Sequence, residues 1–194
     1  MTDSIQIQAQ PSDQACTFTV SVPVYPNGSF FFNSVEAAEK SPLAAQILSM
    51  QPIESVLISE DTIEVNKTGY LDWRPLATQI GAIIRAALDG NSPPIDPSLA
   101  ATLPPAEEIS ASVNSILESD INPSLASHGG FVELLEVKRN DLYLRMGGGC
   151  QGCASASATL RQGVEKLIRE RVPAVGAIFD TTDHAAGRNP YYSG

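Results

Sequence analysis

Apolar and polar residues alternate along Cys16–Val22, where cysteine, phenylalanine and valine occupy every second position and threonine or serine fills the gaps. This period of two is typical of a strand with one buried face. Ile5 and Ile7, which lie among glutamines, predict a partner strand. Two further apolar runs, Ile53–Ile58 and Ile63–Val65, predict a hairpin that turns at Glu60-Asp61.

Helical spacing appears twice in the same half of the chain. Ser41-Pro42 predicts a helix start, because proline is well suited to the first helical position, and the helix is expected to run to about Met50. Asp72 predicts the cap of a longer helix that ends at Gly90. The apolar positions of this second helix keep a 3.6-residue period: Trp73, Leu76, Ala77, Ile80, Ile83, Ile84 and Ala87.

A proline-rich segment over residues 91–105 divides the chain. It contains five prolines and few charges, so we expect an extended, semi-rigid linker. The predicted organisation is therefore an N-terminal domain over residues 1–90, a linker over 91–105 and a C-terminal domain over 106–194. Each half mixes helices and strands, and the predicted fold class is α+β, with two small mixed domains.

The C-terminal half opens with an apolar stripe of helical period over Ile109–Leu117, which Asn122-Pro123 is expected to interrupt. Later segments predict two strands joined by a turn at Arg139-Asn140-Asp141, then a helix and a last short strand. In chain order these are Phe131–Val137, Leu142–Met146, a helix from about Cys153 to Arg171, and Val175–Phe179.

Charge narrows the function classes. The chain has 194 residues and a formal net charge of −10. Residues 1–105 hold eleven acids and four bases, and residues 106–194 hold eleven acids and eight bases. Because no basic stripe appears, we expect no binding to nucleic acid or to an anionic membrane. No apolar run reaches the length of a membrane span and no secretory signal is apparent, so we expect a cytoplasmic protein.

The residues that indicate chemistry are Cys150 and Cys153, which follow the glycine run Gly147–Gly149. Two thiols separated by two residues can bind one metal, and a helix N-terminus beside them lowers the thiol pKa and favours the thiolate ligand. The chain has only three cysteines. Since zinc and iron–sulfur sites commonly take four thiolates, the spacing predicts a centre shared by two chains.

Three interpretations of this motif stay open at this point: an iron–sulfur site, a zinc-bridged scaffold dimer, and a dithiol oxidoreductase. Cys16 is expected to be a buried structural thiol, because free cysteine packs as a small hydrophobe. His128 is expected to cap a helix, and Tyr191-Tyr192 to lie in a loosely held tail. No acid/base pair or nucleophile signature appears, so we expect no enzyme.

Most of residues 106–194 resembles the Nfu family, the NifU C-terminal domain of iron–sulfur cluster carriers. The resemblance is carried by His128–Leu134, Gly147–Cys153, Thr159–Glu165 and the tail from Thr182 to Tyr192. The first half is similar to the Nfu N-terminal domain at Ser41–Ala44, Ile53–Ile58 and Asp72-Trp73. Many family members have acidic residues beside the glycine pair 129–130, whereas this chain has His128 and Phe131.

The resemblance implies a homodimer that binds one bridging [4Fe–4S] cluster and delivers it to apo-proteins. It also implies an upstream assembly scaffold that loads the cluster. The family's ligands carry over to Cys150 and Cys153 alone.

Overall fold

The chain forms two compact units, Met1–Leu103 and Pro104–Gly194. This computed structural model describes residues 5–90, 92–127, 129–148 and 154–181, with only the backbone of Gly148 and of residues 154–161. Each unit has its own sheet and its own buried core. The predicted α+β class is confirmed, while domain limits at residues 90 and 106 stay a prediction.

The N-terminal unit is an antiparallel five-stranded sheet in the order β1-β2-β5-β4-β3. Two helices, α1 (Pro42–Leu48) and α2 (Trp73–Asp89), pack on it. The strands are β1 (Ile7–Pro11), β2 (Ala15–Val20), β3 (Tyr25–Phe32), β4 (Ile53–Glu60) and β5 (Thr62–Lys67).

Alternation places one side of the central strands in the core. Cys16 and Phe18 of β2 face Val65 and Ile63 of β5, and none of these four side chains is exposed. The predicted strand is confirmed but ends at Val20 rather than Val22, and the predicted hairpin at Glu60-Asp61 is confirmed. Burying a side chain such as Phe18, Ile63 or Val65 contributes about 1.5–3 kcal/mol, so this layer stabilises the unit.

Both predicted helix starts are confirmed by their caps. The Ser41 hydroxyl accepts a hydrogen bond from the backbone N–H of Ala44 (3.2 Å), and the Asp72 carboxylate accepts one from that of Arg74 (3.0 Å). Each cap satisfies a backbone donor that the helix leaves unpaired. Trp73, at the start of α2, is 6% exposed and anchors the helix in the core.

The proline-rich segment differs from the expected extended linker. It forms a 3₁₀ helix over Pro97–Thr102, and Ile95 is buried in the N-terminal core. The Ser41 hydroxyl donates to the carbonyl of Pro94 (3.0 Å), and the Asp96 backbone N–H donates to that of Lys40 (2.8 Å). Proline removes backbone donors but leaves neighbouring apolar side chains able to pack, and burial of Ile95 holds the segment against the first unit.

The C-terminal unit has a three-stranded sheet in which β7 (Asp141–Gly148) lies between β6 (Gly130–Lys138) and β8 (Ile178–Asp180). β6 is antiparallel to β7 and β8 is parallel to it. The helices are α3 (Ala106–Ile116), α4 (Asn122–Ala126) and α5 (Ala154–Arg171).

Asn122-Pro123 does not interrupt the helical run as expected. A π-helical turn over Leu117–Ile121 connects α3 directly to α4, which begins at Asn122. Pro123 lies in the first turn of α4, where its missing N–H costs little. Side chains from α3 and α5, such as Val113 and Ile168, pack against Leu142 and Leu144 on one face of the sheet.

Candidate metal centre

The cysteine motif connects the central strand of the C-terminal sheet to the last long helix. β7 ends at Gly148 and α5 begins at Ala154. Cys150 and Cys153, the predicted ligands, lie outside the described residues. In sequence, Cys153 directly precedes the first residue of α5, and the first turn of this helix contains no acidic residue. The positive end of the helix dipole therefore meets no carboxylate from its own first turn.

Strands β6 and β7 bring paired residues up to the start of the motif. Gly130 faces Gly148, Phe131 faces Gly147, and Val132 faces Met146. The Phe131 ring occupies the space that a side chain at position 147 would need, because a Cβ there would lie 2.2 Å from the ring's Cζ atom. Gly147 is consequently buried although it carries no side chain. Glycine at this position is what allows the ring to lie against the strand.

The outer edge of β6 is held by a single side chain. The Asn122 amide oxygen accepts a hydrogen bond from the backbone N–H of Val132 (2.8 Å), and the Asn122 amide nitrogen donates to the carbonyl of Val132 (3.0 Å). The amide thus makes the two hydrogen bonds that a neighbouring strand would make. This fixes β6 one residue away from Phe131.

A second side chain holds β7 from its other side. The backbone N–H of Thr181 (2.8 Å) and the Thr181 hydroxyl (2.9 Å) both donate to the carbonyl of Leu144. Together with Asn122, this contact secures both sides of the strand pair that leads to Cys150. The motif therefore follows a well-anchored strand.

The sheet face opposite the core presents aromatic and charged side chains. Tyr143 stacks on Phe179 with ring centroids 5.0 Å apart, and Lys138 lies 4.7 Å from the Tyr143 centroid. The Arg145 guanidinium pairs with the Glu133 carboxylate at 2.5 Å. Both partners of this pair are about half exposed, so it adds little stability. Phe131 on this face is 43% exposed, whereas Leu142 and Leu144 on the core face are buried.

The remaining predicted residues have mixed outcomes. Cys16 is unexposed and unpaired, and burial raises the pKa of its thiol to about 11, so the prediction of a structural thiol is confirmed. His128 and Tyr191-Tyr192 lie outside the described residues. Within the described ranges, no group of three or more His, Cys, Asp or Glu side chains could hold a metal ion. No helix in the part of the chain that the structure describes is long and apolar enough to cross a membrane.

An open groove of about 440 Å³ lies in the N-terminal unit. It lies between the ends of α1, β3 and β4 and is lined by residues that include Phe31, Leu48, Ile53 and Glu54. Glu54 is the groove's only ionisable side chain, so no acid/base or metal chemistry follows from its lining. The cysteine motif remains the candidate centre.

Two contributors to the centre's surroundings, Asn122 and Phe131, are missed when the sequence is read alone. Asn122 is attributed to a helix break because it precedes proline, and Phe131 is read as a strand residue and as a departure from the family's acidic residues, without a contact to Gly147. A pairing between residues 131 and 147 follows from the strand register and leaves no periodic signal in the sequence.

Two domain families match separate parts of the chain. Residues 5–91 match the family described as "Scaffold protein Nfu/NifU N terminal", and residues 113–179 match the "NifU-like domain". Together these matches account for most of both units.

Similar proteins include three bacterial relatives, each called "Fe/S biogenesis protein NfuA". The relative from Xylella fastidiosa (strain M12) is 54% identical over 79 residues, which is 40% of either chain. The relative from Stenotrophomonas maltophilia (strain K279a) is 52% identical over 80 residues, 41% of this chain and 40% of its own. That from Ectopseudomonas mendocina (strain ymp) is 48% identical over 81 residues, 41% of this chain and 42% of its own. The similarity thus spans about two fifths of the length of these curated relatives.

Two solved structures are also partly similar. A NifU-like protein from Saccharomyces cerevisiae has a TM-score of 0.42 and 20% identity, and the match covers 48% of this chain and 84% of that protein. A protein from Staphylococcus aureus has a TM-score of 0.35 and 19% identity, with 40% and 93% covered. The family assignment comes from the two domain matches and the bacterial relatives. With an Nfu N-terminal domain followed by a NifU-like domain, the chain belongs to the Nfu family.

Proposed function

We propose that this chain is a non-enzymatic iron–sulfur cluster carrier. Cys150 and Cys153 of two copies hold one [4Fe–4S] cluster between them, and the cluster is delivered to apo-proteins. The name of the relatives, Fe/S biogenesis protein, supports iron–sulfur over zinc. The position of the motif between a central strand and a helix start supports thiolate ligands, because the positive helix end stabilises the anion.

The observation that carries the proposal is the state of the third cysteine. A [4Fe–4S] cluster takes four thiolates, and the chain has three cysteines. Cys16 belongs to the other unit, is unexposed, and has a thiol pKa of about 11, so it is held as a neutral thiol. A single chain therefore supplies two competent thiolates, and the full ligand set needs a second chain.

Delivery then proceeds by ligand exchange. A thiolate of the apo-protein binds an iron of the cluster as the thiolate of Cys150 or Cys153 leaves it. Repetition at each iron moves the whole cluster without a change in its oxidation state, and the carrier recovers its free thiolates. We place the acidic N-terminal unit in the recognition of clients or of the scaffold that loads the cluster, since net charge steers encounter.

Anaerobic reconstitution of the full chain tests this proposal. We expect about four iron and four sulfide per dimer, a broad visible absorption band, and a shift from monomer to dimer on loading. Cys150→Ser and Cys153→Ser should each abolish stable loading, because a bridging cluster would lose two of its four ligands. Cys16→Ser is the matched control and should keep full iron content.

Three outcomes would contradict the proposal. Colourless dimers with bound zinc would favour the scaffold alternative. A fully loaded monomer would overturn the bridging arrangement. Loss of iron in Cys16→Ser to the same extent as in Cys150→Ser would show that the ligand set is wrong.

A further inference from the structure

The ring of Phe131 rests on the strand that leads to the cysteine motif. In the register of β6 and β7, Phe131 faces Gly147. Three ring atoms of Phe131 lie 2.2, 2.4 and 2.9 Å from the place a Cβ on Gly147 would occupy. The ring therefore fills the position of the missing side chain. It remains 43% exposed.

The length of the chain fixes how far this ring can be from the ligands. Gly147 precedes Cys150 by three residues, so their Cα atoms are at most about 11 Å apart whatever path the chain takes. Leu135 offers a comparison on the same strand. It is 49% exposed, but it lies four residues beyond Phe131, roughly 13 Å farther from the motif along β6. The chain thus ties the Phe131 contact to within three residues of Cys150, whereas Leu135 lies farther along β6 from Gly147.

We propose that Phe131, seated on Gly147, forms an apolar wall beside the cluster and slows its release. This inference rests on the proposed function. An apolar shell around a metal site limits access of water and of competing ligands, and it lowers the local dielectric. Ligand exchange needs an incoming thiolate to reach an iron, so a ring on one side of the site restricts the approach. Gly147 contributes by leaving room for that ring.

The first test compares release rates in the full chain. Clusters are loaded anaerobically, a ferrous-iron chelator is added, and the decay of visible absorbance gives the rate. Phe131→Ala should speed release by about tenfold, within the range known for residues that surround a metal's ligands. Phe131→Leu, which keeps an apolar side chain, should restore most of the slow release. Leu135→Ala is the matched control and should stay within about twofold of the unchanged protein.

The second test uses the geometry of the pair. Gly147 has no left-handed backbone angle, so alanine at 147 suits the backbone and acts by displacing the Phe131 ring. Gly147→Ala should therefore speed release about as much as Phe131→Ala. In a Phe131→Ala background the added Gly147→Ala change should have almost no further effect, because the ring it would displace is gone. If Gly147→Ala changes the release rate equally in both backgrounds, the proposal that the Phe131 ring slows release is wrong.

Stability of the apo-protein separates this role from a structural one. Phe131→Ala and Leu135→Ala remove similarly exposed side chains from the same strand, so their urea midpoints should fall by similar amounts. Equal release rates in these two variants would overturn the inference and leave the carrier function standing. A protein without substitutions that binds no cluster at all would overturn the carrier function as well.

Discussion

Replacing Asn122 by alanine should loosen the strand pair that leads to the motif while leaving the N-terminal unit unchanged. The change removes both hydrogen bonds between the Asn122 amide and the backbone of Val132. Val132 is 2% exposed, so its N–H has little access to water as a substitute partner. The edge of β6 then lacks the Asn122 amide, which makes the hydrogen bonds that a neighbouring strand would make.

The magnitude follows from these contacts. The lost bond to the Val132 carbonyl costs about 1 kcal/mol, and the Val132 N–H, left buried and unsatisfied, costs about 1–3 kcal/mol. Alanine recovers about 0.5 kcal/mol through its higher helix propensity at the start of α4. The expected net loss is about 2 kcal/mol, which corresponds to roughly 10 °C in the melting temperature of a unit of this size. Asn122→Asp should not restore the stability, because its carboxylate still accepts from the Val132 N–H but places a second oxygen against the Val132 carbonyl oxygen.

The assay uses the single tryptophan of the chain. Trp73 lies in the N-terminal unit, so its fluorescence during urea unfolding reports that unit alone. Hydrogen exchange of peptides from β6 and β7 reports the stability of the C-terminal unit. We expect faster exchange over these two strands with an unchanged Trp73 midpoint. Asn114→Ala is the control, because the amide of this exposed residue on α3 makes one long contact, 3.5 Å, to the Ser110 hydroxyl.

Two results would refute the reasoning. Exchange in Asn122→Ala that matches exchange in Asn114→Ala would mean that the amide does not hold the strand. If the urea midpoint reported by Trp73 also falls in Asn122→Ala, the two units unfold together and the effect of the substitution is not local.

Two further predictions concern the N-terminal unit. Burial raises the pKa of the Cys16 thiol to about 11. As the pH rises, the thiol of the unfolded chain therefore loses its proton before the thiol of the folded chain. The thiol's contribution to stability is complete below pH ~9 and disappears as the pH rises toward ~11. The Trp73 midpoint should therefore fall more steeply between pH 8 and pH 10.5 in the unchanged protein than in Cys16→Ala, and parallel curves would contradict the buried thiol. Ile95→Ala should lower the same midpoint by the equivalent of about 2–4 kcal/mol, as expected for a core side chain, whereas the exposed Ser92→Ala should not. If the midpoint is unchanged in Ile95→Ala, the segment does not pack in the core and the predicted extended linker is correct.

Local sequence rules predict the parts of this fold that depend on neighbouring residues. Period-two alternation predicts β2, a short apolar run predicts β5, and the caps at Ser41 and Asp72 predict where α1 and α2 begin. These signals suffice because a strand face or a first helical turn involves only a few consecutive residues.

Features that depend on distant contacts are not predicted. Strand β3 is missed because Pro26-Asn27-Gly28 resembles a turn, yet a register shift between Tyr25 and Ser29 lets the sheet accommodate it at an edge. The burial of Ile95 depends on a core built from residues far along the chain. Composition alone therefore suggests a linker where tertiary packing provides an anchored segment.

The motif illustrates the same division between local and distant information. The spacing of Cys150 and Cys153 predicts metal ligands because two thiolates separated by two residues can reach one centre. Gly147, by contrast, looks in the sequence like one more member of a glycine run that admits backbone donors to the site. The register gives it a different role, because a side chain at position 147 would collide with the Phe131 ring. A glycine run can thus combine close backbone approach to a ligand with space for a ring from the neighbouring strand, and these two requirements can be separated only by changing residues 131 and 147 together.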